Sequence, residues 1–258
     1  MASREQDWWR GQRAALIVAH PGHELRVHHW MESTSALVLV LTDGSGHLGA
    51  GRLDRTLAVL AGAGARASAT FFGKMSDREL YQAILAGDAR TLSGFADEIA
   101  TILADEDIDY VAADAVEGFN PGHDVCRLLV NAALRRLRDR NGRELRNFEF
   151  PLEAAALERG TRGEIELHLD AGAFARKLKA VDNYSELTEE ADRLRAAHGQ
   201  ASFGVERLSP VNYLLDISGC CEQPPAYERW GELRVKSGYY KTVLRFKDHV
   251  EPIARQLA

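Results

Sequence analysis

The chain has 258 residues, of which 45% are apolar and 27% charged, a composition typical of a globular protein with a sizeable core. Its 32 basic and 38 acidic side chains give a net charge of -6. Proteins that bind nucleic acids generally carry an excess of basic side chains, so no nucleic-acid partner is expected. The apolar run Ala14–Ala19 is too short to cross a bilayer, and residues 1–13 lack the apolar stretch of a signal peptide. We therefore expect a cytoplasmic chain without a membrane span.

Segments typical of strands and of helices alternate through the first half of the chain. Four short apolar runs, bounded by Gly, Pro or Asp, predict strands buried on both faces: Ala14–Ala19, Ala36–Leu41, Ala69–Phe72 and Ile108–Ala113. Between and after them, four segments predict helices: Arg52–Ala63, Asp77–Ala86, Leu92–Ala104 and Val125–Arg140. This alternation predicts a Rossmann-like α/β fold, in which a mostly parallel sheet is flanked by helices.

The second half is less regular. Glu164–Asp170 alternates polar and apolar residues, which predicts a half-exposed strand, and two amphipathic helices are predicted at Ala171–Val181 and Glu186–His198. The tail Lys241–Leu257 has helical spacing, which Pro252 should break or kink.

The composition does not mark a clear boundary between domains. Phe148–Pro151 could separate two lobes, but nothing in the composition shifts there. We therefore expect one domain over residues 1–258, with a core of about 14–150 and a C-terminal helical and strand elaboration of about 151–258.

Two loops that carry histidines follow predicted strands. His20 and His23 lie in Ala19-His20-Pro21-Gly22-His23-Glu24, directly after the first strand, and their spacing projects two imidazoles from one tight turn. His123 follows the fourth strand and opens a helix, where the helix dipole favours the neutral, metal-binding imidazole. If both strands point the same way in one sheet, the three imidazoles could meet at one edge.

Three neutral imidazoles with one open position form the pattern of a catalytic zinc site, in which bound water approaches a pKa of about 7. Under the alternative interpretation, His20 and His23 only stabilise a loop and His123 only caps a helix. Spacing alone does not decide between the two interpretations.

These segments resemble the PIG-L/LmbE-like metal-dependent de-N-acetylase family, which carries Ala-His-Pro-Asp-Asp-Glu after its first strand and His-Pro-Asp-His at a later helix start. Here the two motifs stand as Ala19–Glu24 and as Asn120-Pro121-Gly122-His123. Leu41-Thr42-Asp43-Gly44 looks like a further family turn, and Arg52 is similar to a substrate-contacting arginine of the family. The resemblance covers roughly Ala14 to Leu137.

The resemblance implies that His20, His23 and His123 bind Zn2+ or another divalent transition metal, with His23 in place of a family aspartate. It implies a metal-dependent deacetylase, in which zinc-bound water attacks the N-acyl carbonyl of a small N-acetylated sugar or glycoconjugate. Two further departures from the family concern catalytic positions. Gly22 stands where the family has its general-base aspartate, and Asn120 stands where a histidine helps to stabilise the oxyanion.

Other side chains could supply the missing chemistry. Glu24 or Glu117 could take the proton, because each lies in a loop expected at the same sheet edge, although Glu24 could instead only support the turn. The amide of Asn120 could still donate a hydrogen bond to the oxyanion. On this interpretation Gly22→Asp, which restores the family residue, should raise hydrolysis.

Two alternative functions stay open. The spacing Gly44-x-Gly46-x-x-Gly49 is that of a dinucleotide-binding loop. Such a loop requires an acidic residue at the end of the next strand, and none is present at the end of the next predicted strand. We therefore favour a flexible rim of the active site, where His47 and Arg52 contact substrate, over a nucleotide site. A catalytically impaired homologue that binds metal and sugar is the other alternative. Aromatic residues concentrated near the chain ends could cover the sheet, line a cleft or form a contact in a homo-oligomer.

Overall fold

A computed structural model describes residues 8–46, 49–152, 165–212 and 224–258. Their strands are β1 Ala14–Val18, β2 Leu37–Thr42, β3 Arg66–Met75, β4 Tyr110–Asp114, β5 Arg146–Phe150, β6 Ile165–His168 and β7 Val205–Pro210. They form one sheet in the order β3-β2-β1-β4-β5-β7-β6. Strands β1 to β5 are parallel to one another, whereas β7 runs antiparallel to both β5 and β6. The predicted mostly parallel α/β architecture is confirmed.

Helices cover both faces of this sheet. They are α1 His28–Thr34, α2 Leu53–Ala63, α3 Asp77–Ala86, α4 Ala89–Asp105, α5 Pro121–Asn141, α6 Ala171–Asp182, α7 Thr188–His198, α8 Ala226–Lys236 and α9 Glu251–Leu257. Every residue of β1, β2 and β4 is buried, because alternate side chains of these strands enter two separate apolar cores. In the described part of the chain, no helix is long and apolar enough to span a membrane.

The direction of strand progression reverses beside β1. The chain proceeds from β1 through β2 to β3 on one side, and then returns to place β4 and β5 on the other side. Ile17 of β1 pairs with Ala113 of β4, so the carboxyl ends of these two strands are adjacent. Such a reversal opens a crevice at the sheet edge, which is where α/β proteins place their ligands.

Two strands were not predicted from the sequence. In β5, the polar residues Arg146, Asn147 and Glu149 interrupt the apolar pattern that marks a buried strand. This strand includes part of Phe148–Pro151, so that segment does not separate two lobes. In β7, the charged residue Glu206 is buried, because it bonds to two backbone N–H groups at the start of α1 and to Lys177. The predicted half-exposed strand is present as β6, whose residues alternate between buried and exposed.

Pro252 was predicted to break or kink the helical tail Lys241–Leu257, and the helical geometry does change at this proline. A π-helical turn at Phe246–Val250 leads into α9, and Pro252 lies in the first turn of that helix. A proline there costs no intrahelical hydrogen bond, since the first N–H groups of a helix lack partners within it.

A buried arginine joins α5 to the sheet. The guanidinium of Arg127 donates to the carbonyl oxygens of Asp114 and Phe148 and to Oδ1 of Asn147, at 2.7–2.9 Å. Burial lowers the pKa of Arg127, against the opposing charge of Glu149. The guanidinium thus satisfies buried acceptors on two neighbouring strands.

We expect Arg127→Met to lower the free energy of unfolding by about 2–4 kcal/mol, because three buried acceptors lose their donor. Urea unfolding measures the change. Arg140→Met is the matched control on the same helix: its side chain is exposed, and a change of about 0.5 kcal/mol or less is expected. Equal losses of unfolding free energy in the two variants would contradict the role of Arg127 as the donor to these three acceptors.

Candidate active site

Three histidines meet at the edge where β1 and β4 end. The ring centroids of His20 and His23 are 5.3 Å apart, those of His20 and His123 are 5.1 Å apart, and those of His23 and His123 are 4.6 Å apart. About 100 residues separate the first pair from the third histidine in the chain. The pairing of β1 with β4 brings them together.

Local backbone geometry aims these rings. The turn after β1 depends on Gly22, whose φ of 105° is unfavourable for other residues. The second histidine loop ends at Asn120, the N-cap of α5, whose Oδ1 accepts a hydrogen bond from the N–H of Gly122 at 2.8 Å. Pro121 begins the helix, and His123 therefore lies in its first turn.

Two carboxylates fix the orientation of two of the imidazoles. Oδ1 of Asp77 lies 2.8 Å from Nδ1 of His20, which is also 2.8 Å from the hydroxyl oxygen of Thr42. Oδ2 of Asp114 lies 2.9 Å from Nδ1 of His23. A carboxylate on one ring nitrogen leaves the other nitrogen available as a metal ligand.

Electrostatics distinguish the histidines. Burial and the nearby charges of His23 and His20 hold the pKa of His123 well below its usual value. Burial also lowers the pKa of His23, but the charge and hydrogen bond of Asp114 outweigh it, so this pKa is raised. The pKa of Asp77 is well below its usual value, since the hydrogen bond and charge of His20 outweigh the effect of burial.

Unpaired nitrogens make this donor set suitable for a metal ion. Nε2 of His20 and Nδ1 of His123 are buried and have no hydrogen-bond partner among the described residues. A Cβ on Gly122 would lie 3.2 Å from Nε2 of His20, so only glycine keeps the space beside this nitrogen free. Neutral imidazoles of this kind are ligands that zinc prefers.

The side chains do not yet stand in a coordinating arrangement. Within residues 8–46, 49–152, 165–212 and 224–258, no group of three or more His, Cys, Asp or Glu side chains is positioned to hold a metal ion. Coordination of one ion by all three rings would therefore require side-chain movement.

The three predicted catalytic side chains have different surroundings. Glu24 is fully buried, and its oxygens accept hydrogen bonds from the Thr56 hydroxyl at 2.8 Å and the Gly22 N–H at 2.7 Å. Both oxygens of Glu24 thus stabilise the turn. This supporting role is the alternative to proton transfer that the sequence left open for Glu24. Glu117 is half-buried and accepts a hydrogen bond from the N–H of Leu152 at 3.1 Å. Asn120 uses its Oδ1 to cap α5.

Of the two predicted substrate-binding residues, the structure describes Arg52, which lies beside Gly44. Arg52 is half-buried at the N-cap of α2, and its Nε donates to the carbonyl oxygen of Gly44 at 2.8 Å. A Cβ on Gly44 would lie 2.9 Å from both Arg52 and Pro21. This arginine therefore packs close to the turn His20–Glu24, which is called the histidine turn below. His47 lies outside the described residues.

The C-terminal part of the chain contributes to the site in a way that the sequence did not indicate. A Cβ placed on Gly22 would lie 2.5 Å from Cδ1 of Leu187 and 3.7 Å from the ring of Tyr184. The hydroxyl of Tyr184 lies 3.2 Å from that of Thr56, which bonds to Glu24. The segment between α6 and α7 therefore occupies the space that a side chain at position 22 would need.

Asp77 was not predicted as a site residue. The sequence placed it only at the start of a helix, and its proximity to His20 depends on how α3 packs against the sheet edge. Asp114, by contrast, carries a usable signal, because it directly follows the predicted strand Ile108–Ala113 at the same edge as the histidines.

Comparisons with known proteins identify the fold. No family model and no curated protein matches the sequence. Among solved structures, the zinc-inhibited form of the teicoplanin deacetylase Orf2 is 15% identical, with a TM-score of 0.52 over 78% of this chain and 99% of that chain. The A40926 pseudoaglycone deacetylase Dbv21 is 16% identical, with a TM-score of 0.52 over 73% of this chain and 86% of that chain. The chain thus has the α/β fold of these deacetylases.

The environment of Gly22 leads us to expect a different outcome for Gly22→Asp from the rise in hydrolysis that the resemblance implies. Because φ is 105° and Leu187 lies in the way, we expect the variant to lose about 2 kcal/mol or more of unfolding free energy, without a gain in hydrolysis. Gly142→Asp is the control, since Gly142 also has a positive φ of 64° but nothing within 4 Å of its Cβ position. Thermal and urea unfolding measure the stability.

Leu187→Ala in the Gly22→Asp background should restore part of the lost stability, because it removes the side chain that collides. A Gly22→Asp variant as stable as Gly142→Asp, with raised hydrolysis, would contradict this account.

Proposed function

We propose that the protein is a zinc-dependent deacetylase, in which His20, His23 and His123 hold the metal and an N-acetylated sugar or glycoconjugate is the substrate. The observation that carries this proposal is the approach of the three rings to within 4.6–5.3 Å, with carboxylates on Nδ1 of two of them. The fold supports it, because the solved structures that share this fold are named as deacetylases of teicoplanin and of A40926 pseudoaglycone.

Each residue around the histidines has a role in this proposal. When bound, zinc polarises the N-acyl carbonyl and makes water more acidic. Asp77 and Asp114 hold the His20 and His23 rings so that each presents Nε2 to the ion. Because the rings are already side by side, we expect coordination to need side-chain rotation without a change in the backbone.

Proton transfer and substrate contact come from the neighbouring loops. Glu117 takes the proton, since it is half-buried in the loop that leads from β4 to His123. The amide nitrogen of Asn120 donates to the oxyanion, and Arg52 contacts the sugar from beside Pro21. We propose that the described residues after 151 belong to one domain with the core, because Leu187 packs on the histidine turn.

A second candidate function is binding of metal and sugar without turnover. The observation that favours it is Gly22, where no carboxylate is present and where a side chain would have to displace Leu187. Acetate release from a panel of N-acetyl sugars separates the two functions. Zinc-loaded protein that releases no acetate from any of them would favour the binding function.

We expect His123→Ala to lower zinc content from about one ion per chain to near zero, because an ion held by two imidazoles is bound much more weakly. Hydrolysis should fall at least 10³-fold. Metal analysis after dialysis measures the content. The control is His168→Ala, whose side chain is exposed on β6. Zinc content equal to that of the unchanged protein in His123→Ala would contradict the proposed ligand set.

We expect Asp77→Asn to weaken zinc binding by about 10- to 100-fold, because the amide no longer fixes and polarises the His20 ring. Competition with a chromogenic chelator measures the affinity. Asp88→Asn is the control, since Asp88 is an exposed N-cap of α4 and asparagine caps helices equally well. Unchanged affinity in Asp77→Asn would show that this carboxylate does not act through the metal site.

A further inference from the structure

A surface that mixes basic and aromatic side chains lies on α8 and on the residues that follow this helix. In the described part of the chain, six large apolar side chains are exposed, and four of them belong to this short segment. These four are 46% to 71% exposed: Trp230, Leu233, Tyr239 and Tyr240. Exposed apolar groups that cluster in this way indicate an interaction site.

The basic side chains of the same segment keep their charges unpaired. Residues 226–247 carry six basic and two acidic side chains, although the whole chain has a net charge of -6. The two acidic side chains, Glu228 and Glu232, both bind Arg245, at 3.1 and 3.0 Å. Four exposed basic side chains form no ion pair with a described residue: Arg229, Arg234, Lys236 and Lys241. These four basic and the four apolar side chains are called the α8 surface below.

Basic and apolar side chains alternate along the α8 surface. The guanidinium carbon of Arg229 lies 5.4 Å from the ring centre of Trp230, and that of Arg234 lies 5.3 Å from the ring centre of Tyr239. Trp230 and Leu233 are three residues apart in the helix, so they lie on the same side of it. Such alternation is typical of helices that lie in the interface of a lipid bilayer.

The α8 surface adjoins the candidate active site. At the start of α8, the N–H of Tyr227 donates to the carbonyl oxygen of Gly118 at 3.3 Å, in the loop that leads from β4 to His123. The ring of Tyr240 lies 6.3 Å from that of Tyr81 on α3, the helix that begins beside the histidines. A partner bound to the α8 surface would therefore lie close to the three imidazoles.

An anionic lipid bilayer fits both halves of this surface. Its headgroups attract basic side chains, and the boundary between headgroups and acyl chains accommodates Trp, Tyr and Leu side chains. A second copy of the same surface would bring like charges together. A nucleic acid would pair with the basic groups, but an exposed leucine does not contribute to the binding of phosphates.

We propose that the α8 surface docks the protein on an anionic lipid bilayer, with Trp230 and Leu233 at the level of the headgroups. The rest of the chain carries the acidic excess, so only this surface is attracted to the bilayer, and the orientation of the docked protein is set. Docking brings the loop before His123 next to the lipid surface. This proposal does not rest on the deacetylase function.

Vesicle binding tests the proposal without any substrate. The full chain is sedimented with vesicles of phosphatidylcholine that contain about 30% phosphatidylglycerol, and with vesicles of phosphatidylcholine alone. We expect binding to the anionic vesicles to be at least tenfold tighter, and to weaken as salt is added. Equal binding to the two kinds of vesicle, or binding to neither, would overturn the proposal.

Tryptophan fluorescence reports whether the indole of α8 enters the interface. Trp9 and Trp30 are buried and Trp8 is half-buried, so a shift in the emission of an exposed tryptophan reports on Trp230. We expect the emission to move to shorter wavelength on anionic vesicles, because the indole leaves water, and Trp230→Phe to remove this shift. Emission that stays unchanged in the vesicle-bound protein would contradict the proposed depth.

An exposed leucine on each face of the sheet gives a matched pair of variants. Leu233→Ser should weaken binding to anionic vesicles at least fivefold, because an apolar group that leaves water on docking is lost. Leu57→Ser is the control: Leu57 is exposed on α2, whose buried residues belong to the other apolar core, and binding should stay unchanged. Equal losses in the two variants would overturn the location.

A pair of lysines separates the α8 surface from the overall charge of the chain. Lys236→Gln should weaken binding to anionic vesicles about fivefold. Lys179→Gln removes an equal charge from an exposed position of α6 and should leave binding unchanged. Equal weakening by both substitutions would show that total charge, and not this surface, governs binding.

Two further measurements test the other occupants. A fluorescent single-stranded oligonucleotide is titrated by anisotropy, and the oligomeric state is measured by sedimentation equilibrium. We expect no binding of the oligonucleotide at physiological salt concentration and no effect of Leu233→Ser on the oligomeric state. Oligonucleotide binding in the absence of vesicle binding, or a dimer that Leu233→Ser dissociates, would overturn the assignment to lipid.

Discussion

The site depends on one buried carboxylate, that of Asp114 at the end of β4. Its Oδ2 accepts a hydrogen bond from the N–H of Ala19 at 2.7 Å and contacts Nδ1 of His23 at 2.9 Å. One oxygen atom thus ties the loop after β1 to the end of β4 and orients an imidazole of that loop. The backbone carbonyl of the same residue accepts from Arg127, so the core beneath the site is anchored at the same point. Oδ1 of this carboxylate is buried without a hydrogen-bond partner among the described residues, so the side chain is held through Oδ2 alone.

The histidine turn combines two requirements that compete for one position. Gly22 supplies the positive φ that the turn needs, and it also leaves room for Leu187 from the C-terminal part of the chain. A carboxylate at this position would serve proton transfer, but it would collide with that leucine. Below the turn, Glu24, Thr56 and Tyr184 form a buried hydrogen-bonded group that holds the backbone from three different elements. The chain therefore places the apolar side chain of Leu187 where a base could have been.

Most strands and helices in the first half of the chain were predictable, because short stretches of the sequence determine their patterns. Buried parallel strands have short apolar runs, and the strand that ends at Val18 and the strand that ends at Asp114 were both visible in the sequence. That His20 and His123 could meet was predicted on the condition that β1 and β4 are parallel, which the structure fulfils. Asp77 could not be predicted, since its approach to His20 depends on the packing of α3. The roles of Tyr184 and Leu187 could not be predicted either, because no periodicity or motif in the sequence indicates which distant side chain packs beside a glycine.

The central claim is that three imidazoles, brought together by the pairing of β1 with β4, share one zinc ion. X-ray absorption spectroscopy of the zinc-loaded full chain tests it most directly, since it reports the number and type of atoms around the metal. The account predicts three nitrogen neighbours at about 2.0–2.1 Å with the multiple-scattering signature of imidazole. Zinc surrounded only by oxygen atoms, or by fewer than two imidazoles, would contradict it.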